Sequence, residues 1–162
     1  MKLTKKWLEE HRACGDVVKM FVAQTETDSI KVIKKLLKAD HWDWANWLLP
    51  RIMTYTQYVS YSVFAADQVI DIFESNYPTD KRPRKAIEAA KKCIENPSKK
   101  NKKAANASAN AAYASAYAAD DASANAADAS ANAAYYAAAK AAYADIKARI
   151  INYGLKLLKG GK

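Results

Sequence analysis

The segment from Ala104 to Ala148 limits what this chain can fold into more than any other. It is mostly alanine with Asn, Ser, Asp and Tyr between, and it holds no glycine, no proline and no β-branched residue before Ile146. Alanine loses no side-chain entropy in a helix and buries no polar group, so the segment is expected to be helical. Residues 122–128, ASANAAD, are followed by 129–135, ASANAAY, which is close to a seven-residue repeat. The repeat places Ser123 with Ser130, Asn125 with Asn132, and Asp121 with Asp128 and Tyr135 in rows along one helix. Small side chains let helices approach closely but bury little area. The bulky core must therefore come from residues 3–94.

Length then demands a turn. One helix from Ser98 to Leu158 would be roughly 90 Å long at about 1.5 Å per residue, whereas a compact chain of this size has a radius of gyration of roughly 15 Å. Asp120-Asp121 is the expected turning point, because Ser108 and Ser115 are seven apart but Ser123 follows eight later. From Ile146 onward Ile150, Ile151, Tyr153, Leu155, Leu157 and Leu158 return, so the last helix is expected to dock on the core.

The first half reads as shorter helices. Thr4 is a candidate N-cap for a helix carrying Trp7, Leu8 and His11. Gly15-Asp16 is expected to end it and open the next, which carries Val17, Val18, Phe21 and Val22. A loop with capping residues, 25–29, precedes an amphipathic helix with Ile30, Ile33, Leu36 and Leu37 on one side and Lys31, Lys34, Lys35 and Lys38 on the other. Residues 41–49 read as a short helix ended by Pro50, with Trp44, Trp47 and Leu48 inward. Arg51 to Tyr77 follows as one long helix with Ile52, Tyr55, Val59, Val63, Ala66, Ile70 and Phe73 inside. Asp80 can cap a helix holding Ala86, Ile87, Ala90, Cys93 and Ile94, with Pro83 in its first turn, where a missing N–H costs nothing. Asn96-Pro97 stops that helix and Ser98 can cap the next. The whole is expected to be an all-α, single-domain helical bundle or short α-solenoid. Residues 1–97 would be the bulky half, 98–158 the close-packed alanine-rich half and 159–162 a tail.

Composition narrows the function. The formal charge is +9, from 26 basic and 17 acidic residues, which favours an acidic partner without choosing one. Basic residues gather at 31–38, 81–85, 91–92, 99–103 and 156–162. No uninterrupted apolar run of membrane-spanning length and no secretory h-region occurs, so a cytoplasmic protein with no membrane partner is expected. Cys14 and Cys93 lie far apart without metal spacing, and both are expected to be reduced, buried and inert. His11 and His41 are the only histidines, and no Gly-rich phosphate loop exists. His11 and Cys14 form an i, i+3 pair of a kind that chance supplies readily. No enzyme, cofactor or metal is expected, and no nucleic-acid-binding motif accompanies the charge.

Candidate binding residues are Lys81, Arg82 and Arg84, where guanidinium groups at a helix start suit a phosphate or carboxylate. Internal pairing of Arg82 or Arg84 with Asp43, Asp67 or Asp80 is the other use of these groups. Trp42, Trp44 and Trp47 suit stacking on a base or sugar as well as a core. The rows in the alanine helices either solvate an outer face, form a buried polar ladder, or line a groove. In the last case Tyr113 and Tyr117 would offer stacking surfaces, beside Asn125 and Asn132.

Certain blocks carry a family resemblance: Ala13-Cys14-Gly15; residues 43–49, DWANWLL; and, most specifically, residues 77–90, YPTDKRPRKAIEAA, followed by an alanine-rich helical half. The chain resembles the bacterial Imm-5-like immunity proteins found beside polymorphic toxins; related alanine-rich proteins occur in phages. Ala45 and Asn46 stand where that family has leucines. The resemblance implies a non-enzymatic protein that confers immunity by sequestering its target, a toxin protein first of all. The alternative is a phage-type sponge for a nucleotide or other small anionic signal. A third use is a structural module whose alanine face packs on another copy, making a homo-oligomer.

Overall fold

The computed structural model describes residues 1–68, 70–105 and 129–160. The described residues are all-α: α1 Lys5–Glu10, α2 Gly15–Val22, α3 Ser29–Lys38, α4 Trp42–Arg51, α5 Tyr55–Asp67, α6 Ile70–Asn76, α7 Arg82–Glu95 and α8 Ala129–Leu158, with a further helical stretch over 99–105. The expected turn at Asp120-Asp121 lies outside the described residues. The chain divides into two compact units, one of Met1–Thr54 with Ile151–Lys162 and one of Tyr55–Ile150.

In the first unit the Thr4 hydroxyl accepts the Trp7 N–H at 3.1 Å, and the Asp28 carboxylate accepts the Lys31 N–H at 3.0 Å at the start of α3. Both caps satisfy amides that no carbonyl of the helix can reach. The first residues run beside the α3 N-terminus: Leu3 N–H donates to the Thr27 carbonyl at 2.7 Å and Ser29 N–H to the Met1 carbonyl at 3.0 Å. Leu3, Leu8, Val17, Phe21, Val32, Ile33, Leu36, Ala45, Leu48 and Leu49 form the buried side of these helices, joined by Ile151, Leu155 and Leu157 of α8. Val32 is buried while Ile30 and Leu37 are only partly so, a small rotation of α3 from the expected face. Lys31, Lys34, Lys35 and Lys38 are exposed, as expected.

The turn between α1 and α2 is not made by its glycine. Arg12 takes φ 58°, while Arg12 N–H donates to the Glu9 carbonyl at 3.0 Å and Ala13 N–H to the Leu8 carbonyl at 2.9 Å. This is a Schellman ending with arginine in the left-handed position that glycine normally fills. Gly15 instead opens α2 with open space where a Cβ would stand. We therefore expect Gly15→Ala to raise stability by about 0.4–1 kcal/mol by reducing unfolded-state freedom. Arg12→Gly should add about 1 kcal/mol by relieving the left-handed residue. Urea midpoints check both, and a loss in either variant refutes this account of the turn. Asp40, at φ 60°, ends α3 in the same way, with His41 N–H donating to the Leu36 carbonyl at 2.9 Å. Aspartate tolerates that conformation better than arginine.

Pro50 does not end α4. The helix runs one residue further, to Arg51, because proline deletes a single amide bond in a turn that is already finishing. The expected helix from Arg51 to Tyr77 is likewise two, α5 and α6. Gln68 stands in a turn after α5, its N–H shared between the Phe64 and Ala65 carbonyls at 3.2 and 3.3 Å.

In the second unit α5 packs on α7. Val59, Val63, Ile70, Ile87 and Cys93 form its buried cluster, with Ala66, Ala90, Ile94 and Ala105 against it. Tyr61 is also buried, and loss of solvent pushes its phenol up to about 12. Tyr55, expected inside, is 43% exposed, with the Lys102 ammonium 4.3 Å from its ring centroid. Ser98 caps the 99–105 stretch as expected, its hydroxyl accepting the Asn101 N–H at 3.3 Å. Cys93 is buried, but Cys14 is exposed, contrary to expectation, because it occupies the N-cap position of α2 outside the packed face.

Candidate functional site

The basic block at the start of α7 is where sequence chemistry is densest. Pro83 at the helix start fixes the backbone there, and Asp80, just ahead of it, accepts the Arg82 N–H at 3.0 Å. The same carboxylate takes the Arg82 guanidinium as a fork, Nε to Oδ1 and Nη2 to Oδ2, both at 2.8 Å. That hydrogen bonding holds the Arg82 guanidinium protonated beyond its already high range.

Arg84, one helical step on, reaches back to α6. Its Nε donates to Glu74 Oε1 at 3.1 Å, and its Nη2 donates to Glu74 Oε2 at 2.6 Å and to Asp71 Oδ1 at 3.1 Å. Lys81 Nζ adds a contact to Glu74 Oε1 at 3.8 Å. The hydrogen bonds from Arg84 hold the Glu74 carboxyl below its ordinary range, and Glu74 in turn raises Arg84. A planar fork meeting a carboxylate with two parallel bonds is the strongest pairing these residues make. The block therefore latches α7 onto α6. Of the internal partners expected, Asp80 takes Arg82 and Asp67 takes Lys91, at 2.9 Å. Glu74 and Asp71, the partners of Arg84, were not foreseen; their i, i+3 spacing on a helix opposite the block was the available signal.

Trp44 and Trp47 stand in the first unit, apart in sequence and unit from the block. Both are partly buried and border a core void of about 10 Å³ together with Leu3, Leu8, Val17 and Leu48. Such a void is at the lower limit for one water molecule. His41 stacks on Trp44 with centroids 4.1 Å apart, and the Arg51 guanidinium lies 4.2 Å from the Trp47 centroid. Trp42 Nε1 donates to Asp40 Oδ1 at 2.7 Å. Tyr113, Tyr117 and Asn125 lie outside the described residues, and Asn132 is placed on α8.

His11 and Cys14 do not share a helix, since α1 ends at Glu10. His11 Nδ1 is 2.7 Å from the Trp7 carbonyl oxygen and its ring stacks on Trp7 at 3.9 Å. Among the described residues no group of three or more His, Cys, Asp or Glu side chains is placed to hold a metal, and no helix is long and apolar enough to cross a membrane.

A second basic region was only partly visible in sequence. Lys34 and Lys38 of α3 and Lys156 and Lys159 at the end of α8 line one groove of about 580 Å³ within the first unit. Leu37 and Leu155 also line it.

Comparison with known proteins bears on this arrangement through one match. Residues 52–162 fit the family model described as Imm-5 like putative immunity protein. That range contains the 77–90 block, its acidic partners on α6 and the alanine-rich half, while Ala13–Gly15 and Asp43–Leu49 precede it. No curated protein and no solved structure matches the chain.

Proposed function

Because the chain belongs to the Imm-5 like family, we propose that it confers immunity by binding and holding a toxin protein, without chemical change to either partner. Family membership over residues 52–162 is the observation that carries the reading. Two features support it. The charge of +9 suits an acidic target and speeds encounter with one. The Arg82 and Arg84 guanidinium groups, the natural anchors for a free phosphate, are already engaged by Asp80, Glu74 and Asp71, which favours a macromolecular partner over a small anion at that block.

The test is coexpression with the toxin-like product of an adjacent gene. Growth should be restored, and the two chains should elute together in fixed stoichiometry. Toxin released from the complex by denaturation and refolded should have its original mass and its full activity. Absence of a complex, or a toxin recovered covalently altered, refutes binding-only immunity. Native mass spectrometry of the chain taken directly from cells provides a second check: a retained nucleotide-sized mass would put a small-ligand trap in its place.

A further inference from the structure

We propose that the groove lined by Lys34, Lys38, Lys156 and Lys159 takes an acidic segment of the target chain, with apolar side chains of that segment resting on Leu37 and Leu155. The proposal rests on the binding function above and assigns that function a surface. Its first support is charge left over. Several basic side chains elsewhere on the described surface pair with acids nearby: Lys5 with Glu9, Lys6 with Glu10, Lys19 with Asp16, Lys31 with Glu26 and Lys91 with Asp67. Among the described residues, none of the groove lysines has such a salt bridge, and no acidic residue lines the groove. Four like charges on one concavity repel one another, and an anionic occupant removes that cost.

The second support is the form of the site, which decides the class of anion. A phosphate or nucleotide site converges several donors on one point, commonly arginine forks or backbone amides, and often adds an aromatic surface. This groove has neither arginine nor an aromatic ring among its lining residues. Its donors are point charges on flexible stems, set on α3, on the last turn of α8 and just beyond it, along an open concavity. Leu155 is buried and Leu37 partly so, and both line the groove together with the lysines. Spread positive charge over an apolar floor fits an amphipathic acidic segment, whose carboxylates face the lysines while its apolar residues cover the leucines.

A fluorescein-labelled helical peptide with leucine at i and i+4 and glutamate at the flanking positions serves as the probe, followed by anisotropy with the intact chain. Saturable binding that weakens as salt rises is expected, since exposed charge pairs are screened. Lys34→Glu/Lys38→Glu should weaken it about tenfold or more, and Leu37→Ser should weaken it at every salt concentration. Lys99→Glu/Lys100→Glu makes the same change in net charge at exposed positions that do not line the groove and should bind as the parent does. Equal loss in both charge-reversed proteins overturns the proposal, because it reduces the effect to net charge. Saturable competition by ATP or inorganic phosphate at equal ionic strength overturns the choice of an acidic segment. These outcomes are independent of the toxin assay: a toxin complex unaffected by Lys34→Glu/Lys38→Glu removes the groove and leaves immunity by binding in place.

Discussion

Ile33→Ala should lower the stability of the folded chain by about 2–5 kcal/mol, a large part of the total for a protein of ordinary stability. Ile33 is 0% exposed, on the face of α3 that also buries Val32 and Leu36. Truncation removes its apolar atoms from the core and leaves a cavity that the neighbours close only in part. Helix α3 cannot rotate to compensate. Its start is tied by the Asp28 cap and by the pairing of Ser29 with Met1, and its end by the left-handed Asp40. The adjacent Lys34→Ala changes an exposed residue and should stay within about 0.5 kcal/mol of the parent. Urea unfolding of the two variants measures the contrast. A cost under about 1 kcal/mol for Ile33→Ala would mean that α3 is not packed as described.

Glu74→Gln should lower the melting temperature at neutral pH by a few degrees, and the deficit should shrink as the solution is acidified. The Arg84 fork holds the Glu74 carboxyl below its ordinary value of 4.5. A carboxyl whose folded-state value is depressed contributes stability that is fully present above its unfolded value and is lost as pH falls through the folded one. The difference should therefore be full above about pH 4.5, shrink below it, and vanish only once the pH falls beneath the depressed folded value. Asp71→Asn provides the control: Asp71 meets the same guanidinium, but its side chain is 89% exposed, where solvent screens the contact, and its replacement should have little effect at any pH. Thermal melts from neutral to acidic pH decide the matter. A deficit that persists undiminished in acid would show that Glu74 acts by packing and not by charge.

The latch shows how much of the block could be read from residues alone. The proline, the arginines and the preceding aspartate mark a helix start with internal or external anion contacts, and Asp80 was among the expected internal partners. Arg84 was harder to assign. Its choice of Glu74 and Asp71 depends on α6 lying against the start of α7, and that arrangement required a break after Asp67 that no glycine or proline announces. The lysine face of α3 was legible from its period, but as a solvated face. Its role as one wall of a groove appears only when Lys156 and Lys159, over a hundred residues later, stand opposite. Gly15 misled in the other direction. Glycine is the usual residue for a left-handed turn, yet Arg12 makes this one, because the Schellman hydrogen bonds outweigh the cost of a Cβ there.

What the sequence determined by itself is local: the helical state of the described segments, the caps at Thr4, Asp28 and Ser98, the charged face of α3, and the family to which residues 52–162 belong. These follow from propensities and from hydrogen bonds spanning two or three residues, which the order of residues specifies directly. Tertiary structure alone decided the division at Thr54 and Ile150, the strand-like pairing of Met1 and Leu3 beside α3, the partners of Arg84, and the meeting of lysines from both ends of the chain. Each of these joins residues distant in sequence. Such contacts form when buried area repays the entropy of closing a long loop, and no local pattern records that balance.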